Sequence, residues 1–73
     1  MVKPTKITNN IRELRGAANQ MTQAELAERI GVTRQTVIAI EQGRYSPSLE
    51  VAFKMARVFG VPLEGVFGYP PDH

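Results

Sequence analysis

The chain has 73 residues, which is enough for one domain but not for two. It contains no cysteine and its one histidine is the last residue, so disulfides, thiolate metal sites and histidine-rich metal sites are excluded. The net charge of +2 permits a negatively charged partner without requiring one. No run approaches the roughly 18 apolar residues of a membrane span, and none follows the N-terminal lysines as in a signal peptide. We therefore expect a cytoplasmic protein.

The first predicted helix runs from about Thr8 or Asn9 to Ala18. Its evidence is a single apolar stripe at spacings of three and four, formed by Ile7, Ile11, Leu14 and Ala18. Asn19 is its predicted stop, because asparagine tolerates the left-handed backbone conformation. No alternating strand pattern of useful length occurs in the chain, so the expected fold class is all-α.

The second and third predicted helices are joined by only three residues, Gly31-Val32-Thr33. Thr22-Gln23-Ala24-Glu25 forms a capping box that starts the second helix, and Gly31 ends it. Thr33 caps the third helix, which runs from Arg34 to Gln42 and stops at Gly43. So short a turn forces a sharp crossing of the two helices, which is the geometry of a helix-turn-helix.

The fourth predicted helix begins at Ser48 and ends before Gly60, and the short fifth follows Pro62. The fourth is apolar over most of its girth, with a polar stripe of only Glu50, Lys54 and Arg57, which is typical of a central core helix. The apolar groups around the fifth helix exceed what a monomer is expected to cover. Some of them are therefore predicted to form a dimer contact, although they could instead only close the core. The residues of this predicted dimer surface are Val61, Pro62, Leu63, Val66, Phe67 and Tyr69.

The outward face of the third helix begins with Arg34 and Gln35. On a helical wheel, Val37 and Ile40 define the buried direction and Gln35 lies opposite them. In a DNA-binding helix-turn-helix, such residues at the start of the second helix reach base edges in the major groove. Arginine suits the edge of guanine and glutamine that of adenine. The competing interpretation is a polar helix start that is only solvated.

Flanking residues are placed to contact the DNA backbone. Gln23 lies in the first turn of the second helix, whose free N–H groups attract phosphate. Arg44 and Tyr45 lie just past the third helix and can reach the flanking strand. Solvation alone is the alternative for Gln23 and Arg44, and packing against the fourth helix is an equally open alternative for Tyr45.

Residues 22 to 67, TQAELAERIGVTRQTVIAIEQGRYSPSLEVAFKMARVFGVPLEGVF, resemble the DNA-binding domain of lambdoid phage repressors and Cro. They resemble the small stand-alone Xre-type regulators more closely still. The residue types of the family's pattern occur at Gln23, Ala27, Gly31, Val37, Ile40 and Glu41. The resemblance implies one five-helix, lambda-repressor-like domain over residues 1–73. Its helix-turn-helix would span residues 23–42, with short flexible ends at about 1–6 and 68–73.

The resemblance also implies roles for individual residues. It implies base contacts by Arg34, Gln35, Thr36 and Ala39, and Ile38 is a further candidate for contact with a thymine methyl group. It implies phosphate contacts by Gln23, Thr33, Gln42, Gly43, Arg44 and Tyr45. An ion pair between Arg15 and Glu41 is implied too, and the wheel independently places Glu41 on the buried flank beside Val37. Two features depart from the family: Ala39 stands where some relatives have a long polar side chain, and the GAANQM link between the first two helices is longer.

The expected function is a sequence-specific regulator of transcription that binds double-stranded DNA, as a homodimeric repressor on a palindromic operator. Two alternatives remain open at this point. The chain could be an antitoxin, with a toxin as partner, or the controller of a restriction-modification system. It could also be a coactivator-like protein-interaction module that reads no bases. An enzyme is not expected, because the sequence has no nucleophile–base pair, no internal histidine and no glycine-rich phosphate loop. No metal or cofactor is expected either.

Overall fold

A computed structural model of the chain describes residues 5–71 as five helices and one short strand pair. In chain order the elements are β1 Thr8–Asn9, α1 Ile11–Ala17, α2 Gln23–Ile30, α3 Arg34–Glu41, α4 Leu49–Phe59, α5 Leu63–Val66 and β2 Phe67–Gly68. The predicted all-α class with five helices is confirmed. Within the described range, no helix is long and apolar enough to cross a membrane. The predicted flexible ends include residues 1–4 and 72–73, which lie outside the described residues.

The helix-turn-helix begins and ends where its capping residues predict. Thr22 Oγ1 accepts from the N–H of Glu25 at 3.0 Å, and Glu25 Oε1 accepts from the N–H of Thr22 at 2.8 Å, which completes the capping box. Gly31 ends α2 with a φ of +74°, a backbone conformation that glycine adopts without steric cost. Thr33 caps α3 by accepting from the N–H of Thr36 at 3.1 Å. These local hydrogen bonds fix the two helices on either side of the three-residue turn.

The start of α1 differs from the prediction. Thr8 and Asn9 are not helical, because they pair with Gly68 and Phe67 in an antiparallel ladder. The side chain of Asn9 then accepts from the N–H of Ile11 at 3.2 Å, and α1 begins there. The expectation that the helix starts at Thr8 or Asn9 is therefore wrong. The two strands lie at opposite ends of the chain and are two residues long, so neither leaves a periodic pattern.

The link between α1 and α2 contains two consecutive left-handed residues. Asn19 has a φ of +59°, as predicted for the stop of the first helix, and Gln20 follows with a φ of +56°. Left-handed residues other than glycine cost of order 1–3 kcal/mol each, so the surrounding contacts have to hold the link. Those contacts are the buried side chain of Met21 and its N–H, which donates to the carbonyl of Arg15 at 2.9 Å.

The core is built from buried apolar side chains of every helix. Its members are Ile11, Met21, Leu26, Ala27, Ile30, Val37, Ile40, Ala52, Met55, Ala56 and Val66. Val66 is 0% exposed, so it closes the core and cannot belong to the predicted dimer surface.

The helix α4 is less buried than its many apolar residues predict. Ser48 caps it by accepting from the N–H of Val51 at 3.2 Å, and Gly60 ends it. Ala52, Met55 and Ala56 form its buried face. Leu49 and Phe53 are 67% and 51% exposed, so the solvent face contains two large apolar residues beside the predicted polar stripe.

Candidate nucleic-acid interface

The start of α3 presents exposed side chains and open backbone donors. Arg34 and Gln35 are both exposed, while Val37 and Ile40 behind them are buried. The N–H groups of Arg34 and Gln35 have no hydrogen-bond acceptor among residues 5–71. The first turn of α3 therefore carries unused donors on both its backbone and its side chains.

The hydroxyls of Thr33 and Thr36 share one hydrogen bond, with 3.0 Å between the two Oγ1 atoms. A single hydrogen bond uses one of the two hydroxyl protons. One proton is left, on whichever threonine accepts within the pair. As long as this pair persists, either Thr33 or Thr36 can donate to DNA through its hydroxyl, but not both at once.

The middle of the outward face is more covered than its start. Ile38 and Ala39 are both half-buried, so each offers only part of a small apolar surface. They can contact a methyl group, but they have no polar atom with which to read a base edge.

The start of α2 lies beside α3 and is also open. The N–H groups of Gln23 and Ala24 have no acceptor in the described part of the chain, whereas those of Thr22 and Glu25 are used by the capping box. The side-chain amide of Gln23 donates to Glu41 Oε1 at 3.3 Å. This bond uses one of its two N–H donors, so the other is free for a phosphate oxygen.

An ion pair joins α1 to the last residue of α3, beside the start of α2. Arg15 Nε lies 2.7 Å from Glu41 Oε2, and Arg15 Nη2 lies 3.1 Å from Glu41 Oε1. The side chains are 15% and 9% exposed, so solvent screens this pair only weakly. Arg15 Nη1 also donates to the carbonyl of Met21 at 2.9 Å. The structure thus brings Arg15 and Glu41 together as expected, and joins α1, the link and α3 through them.

Asn9 fastens the far end of α3, a role that its position in the sequence does not suggest. Its Nδ2 donates to the carbonyls of Ile40 at 3.0 Å and Glu41 at 3.4 Å. These are among the last carbonyls of α3, which have no partner within the helix. An asparagine that lies 31 residues before its nearer partner leaves no sequence signal for such a contact.

The segment after α3 contains one predicted phosphate contact that the geometry does not support. The N–H of Gly43 donates to the carbonyl of Ile40 at 3.1 Å, and the carbonyl of Gly43 accepts from the N–H of Thr5 at 3.3 Å. Gly43 has a φ of +72° and no side chain, so it ends the helix and has no donor left for phosphate. The backbone N–H of Arg44 is likewise used, by the carbonyl of Ala39 at 3.0 Å.

Side chains around that segment remain available. Those of Gln42 and Arg44 are exposed. Tyr45 is half-buried, and its ring packs against the core. Packing, one of the two open interpretations of Tyr45, is therefore observed.

An open groove of about 890 Å³ runs beside the helix-turn-helix and connects part of these features. Its lining residues come from β1, α1, the link, the start of α2 and both ends of α3, and they include Asn9, Arg12, Gln20, Gln23, Arg34 and Gln42. Arg15–Glu41 is the one ion pair recorded within residues 5–71, so Arg12, Arg34 and Arg44 have no carboxylate at ion-pair distance there. No cluster of three or more histidine, cysteine, aspartate or glutamate side chains within this range resembles a metal site.

A sequence model of the helix-turn-helix family matches residues 11–66, which is most of the chain and includes all five helices. The chain belongs to the Xre-like helix-turn-helix family. It is a DNA-binding transcriptional regulator of the helix-turn-helix type.

Relatives of this regulator carry similar names. An uncharacterized HTH-type transcriptional regulator of Methanocaldococcus jannaschii is 54% identical over 77% of this chain and 85% of its own length. A cryptic phage transcriptional repressor of Vibrio cholerae is 41% identical over 77% of this chain and 50% of its own length. Among solved structures, a candidate DNA-binding protein from Bacteroides fragilis has a TM-score of 0.73 at 26% identity, over 85% of this chain and 98% of its own. The names of the two relatives describe regulators and no enzyme.

In this regulator the predicted dimer surface is only partly exposed. Pro62 and Tyr69 are exposed, and Tyr69 reaches 67%. Val61, Leu63 and Phe67 are half-buried, and parts of Val61 and Phe67 pack against the core. The surface that remains without Val66 is small and centres on residues at the two ends of α5.

Proposed function

We propose that this protein is a homodimeric repressor that reads a palindromic operator with α3 in the major groove. The observation that carries the proposal is the start of α3, where Arg34 and Gln35 are exposed beside two open backbone donors. Any helix start leaves backbone donors open, but at α3 they lie beside an exposed arginine that lines the groove and has no carboxylate at ion-pair distance within residues 5–71. DNA supplies acceptors for all of them.

Base contacts are assigned to the outward face of α3. Arg34 bonds a guanine and Gln35 an adenine, and each good bidentate contact contributes about 1–3 kcal/mol of discrimination. Thr36 adds a hydroxyl when its proton is the free one of the threonine pair. Ile38 and Ala39 contribute apolar contact with a thymine methyl group.

Phosphate contacts surround this face and fix its register on the duplex. At the start of α2, the free N–H groups of Gln23 and Ala24 and the second amide proton of Gln23 point to one phosphate. Thr33, Gln42 and Arg44 contact the flanking strand with their side chains. The hydroxyl of Tyr45 extends the same row.

The dimer contact is assigned to Val61, Pro62, Leu63, Phe67 and Tyr69. A homodimer places two copies of α3 about one helical turn of DNA apart, which gives the operator its palindrome. Repression rather than activation of transcription is supported by the relative from Vibrio cholerae, which is named a transcriptional repressor.

Selection of bound sequences from a random DNA pool tests the reading function. We expect paired half-sites whose centres are about 10–10.5 base pairs apart. Gln35→Ala should relax the preference at one base pair of each half-site, whereas Arg29→Ala, at the other end of α2, should leave the selected sequence unchanged. A pool with no enriched sequence would contradict the proposal. A reporter with the selected site in its promoter should lose expression when the protein is present, and a gain would make the protein an activator.

Sedimentation equilibrium tests the dimer contact. Tyr69→Ser removes an exposed ring from the proposed surface and should weaken dimerisation by about tenfold, the effect of roughly 1.4 kcal/mol. Phe53→Ser is the matched control, because Phe53 is also an exposed aromatic residue but lies on α4. If Phe53→Ser dissociates the dimer and Tyr69→Ser does not, the contact lies on α4 instead.

A further inference from the structure

The groove beside the helix-turn-helix continues onto α1, an element to which no DNA contact has been assigned. Arg12 and Gly16 are exposed residues of α1 that line it, and Gln23 and Arg34 belong to the same lining. Gln20, in the left-handed part of the link, lines the groove between α1 and α2. A strand of DNA seated at the start of α2 would therefore have α1 beside it.

The charged residues that line the groove leave one net positive charge, and Arg12 is the free cation on its α1 side among the described residues. Arg15 and Glu41 neutralise each other through their ion pair. The lining then retains the positive charges of Arg12 and Arg34 and the negative charge of Glu13. Across residues 5–71, Arg12 has no carboxylate at ion-pair distance, so its guanidinium is available to an outside anion.

The spacing of phosphates on DNA suits a second contact there. Each strand carries one phosphate per roughly 3.4 Å of helix axis, so a backbone that crosses the groove brings several phosphates to its walls. The open N–H groups of Gln23 and Ala24 can hold one of them. A neighbouring phosphate would then lie toward α1, where a long, exposed arginine side chain can reach it.

We propose that Arg12 binds an operator phosphate, so that the DNA footprint of this regulator includes α1. The proposal rests on the proposed function, since it needs DNA seated with α3 in the major groove. Glu13 lines the same groove and opposes the contact. The two neighbouring residues therefore act on DNA affinity with opposite signs.

Titration of the full chain with its selected operator, over a series of salt concentrations, tests Arg12. We expect Arg12→Ala to lower the slope of log affinity against log salt by about 0.9 per half-site. The ratio of the wild-type affinity to the Arg12→Ala affinity should therefore fall by about three- to fourfold per half-site as the salt concentration rises from 50 mM to 200 mM. Arg12→Lys should keep the slope, and Glu13→Gln should tighten binding. The base preference should stay unchanged in all three variants.

Arg57→Ala is the matched control, because Arg57 is an exposed helical arginine on α4 that does not line the groove. An equal loss of slope in Arg57→Ala would overturn the proposal, since the effect would then come from net charge alone. A wild-type slope in Arg12→Ala, with base preference lost in Arg34→Ala, would overturn the role of Arg12 and leave the proposed function standing. Unchanged binding in both variants would overturn both. Thermal denaturation of each variant shows that it is folded under the conditions of the titration.

Discussion

The starts of α2 and α3 are built alike but charged differently. Each is capped by a threonine whose hydroxyl accepts from the third N–H of the helix, and each leaves two N–H groups open. At α2 the carboxylate of Glu25 folds back onto the cap and offsets the positive end of the helix dipole. At α3 the first turn has no acidic residue and adds the charge of Arg34.

The difference shows that the first turn of a helix can neutralise the positive end of the helix dipole within the protein, or leave that positive potential available to a ligand. At α2, Glu25 compensates the dipole within the protein, so this helix offers DNA mainly its open N–H groups. At α3 the dipole and Arg34 add positive potential at the point that is proposed to enter the negatively charged major groove. Four predictions test how far these two roles can be separated.

The largest effect is expected from Arg15→Ala, which removes the ion pair that joins α1 to the end of α3 beside the start of α2. It leaves the mostly buried carboxylate of Glu41 without its cation, which costs about 3 kcal/mol in the free energy of unfolding. The midpoint of thermal unfolding should fall by roughly 12–24 °C for a domain of this size. Arg29→Ala, at an exposed arginine, should shift the free energy by less than about 0.5 kcal/mol. Equal denaturation curves for the two variants would show that the ion pair contributes no net stability.

Arg34→Ala should separate the reading role from stability. Loss of one bidentate base contact costs about 2 kcal/mol, or roughly 30-fold in affinity for the selected operator. The free energy of unfolding should change little, because the Arg34 side chain is exposed. Competition with non-operator DNA measures how much of the loss of affinity is specific to the operator sequence. A variant that loses affinity equally for every sequence would make Arg34 a phosphate contact.

Thr22→Ala and Thr33→Ala compare the two caps directly. Each substitution removes the hydroxyl that accepts from a first-turn N–H, which costs about 1 kcal/mol of stability. Their effects on urea denaturation should therefore be similar. Operator affinity, measured well below the unfolding transition, should fall more for Thr33→Ala because this residue orients the first turn of α3. A larger loss of affinity in Thr22→Ala would reverse the assignment of the two helix starts.

The smallest effect concerns pH. The N–H of Thr22, and then its side chain, hold the pKa of the Glu25 carboxyl below its usual value of 4.5. The folded chain thus binds this proton less tightly than the unfolded chain. The resulting stability is complete above the unfolded pKa and is lost as the pH falls through the folded one.

Denaturation of the wild type and of Glu25→Gln between about pH 7 and pH 3 checks this coupling. Their difference in the free energy of unfolding should stay constant down to about pH 5 and shrink below about pH 4. Glu28→Gln removes an exposed carboxylate of α2 outside the capping box and serves as the control. A difference that grows as the pH falls would contradict a lowered pKa.

The sequence predicts those parts of the fold that depend on neighbouring residues. The caps of α2, α3 and α4 bond partners three residues away, so Thr22, Thr33 and Ser48 mark their starts correctly. The strand pair depends on the two ends of the chain meeting, and no local pattern reports that contact.

The candidate site divides in the same way. The exposure of Arg34 and Gln35 follows from the helical period alone. The ion pair of Arg15 with Glu41 is implied by the family resemblance, while the wheel places only Glu41 on the buried flank. The involvement of Gln23 and Asn9 with the end of α3 was not predicted, because it depends on how three elements pack. The predicted phosphate contact of Gly43 fails for a related reason, because the N–H of Gly43 donates to the carbonyl of Ile40 at the end of α3.

The strand pair has a consequence for the order of folding. The ladder of Thr8 with Gly68 joins residues that are nearly the whole chain apart, so its closure costs the most chain entropy. The helix pair closes over a few residues and can form first, and the ends join last. Asn9 lies in the ladder and also donates to the last carbonyls of α3. The N–H of Asn10, next to the ladder, donates to the carbonyl of Val66 at 2.9 Å. Amide hydrogen exchange at Asn10 should therefore report the earliest opening of the native state, and that opening loosens the far end of the reading helix.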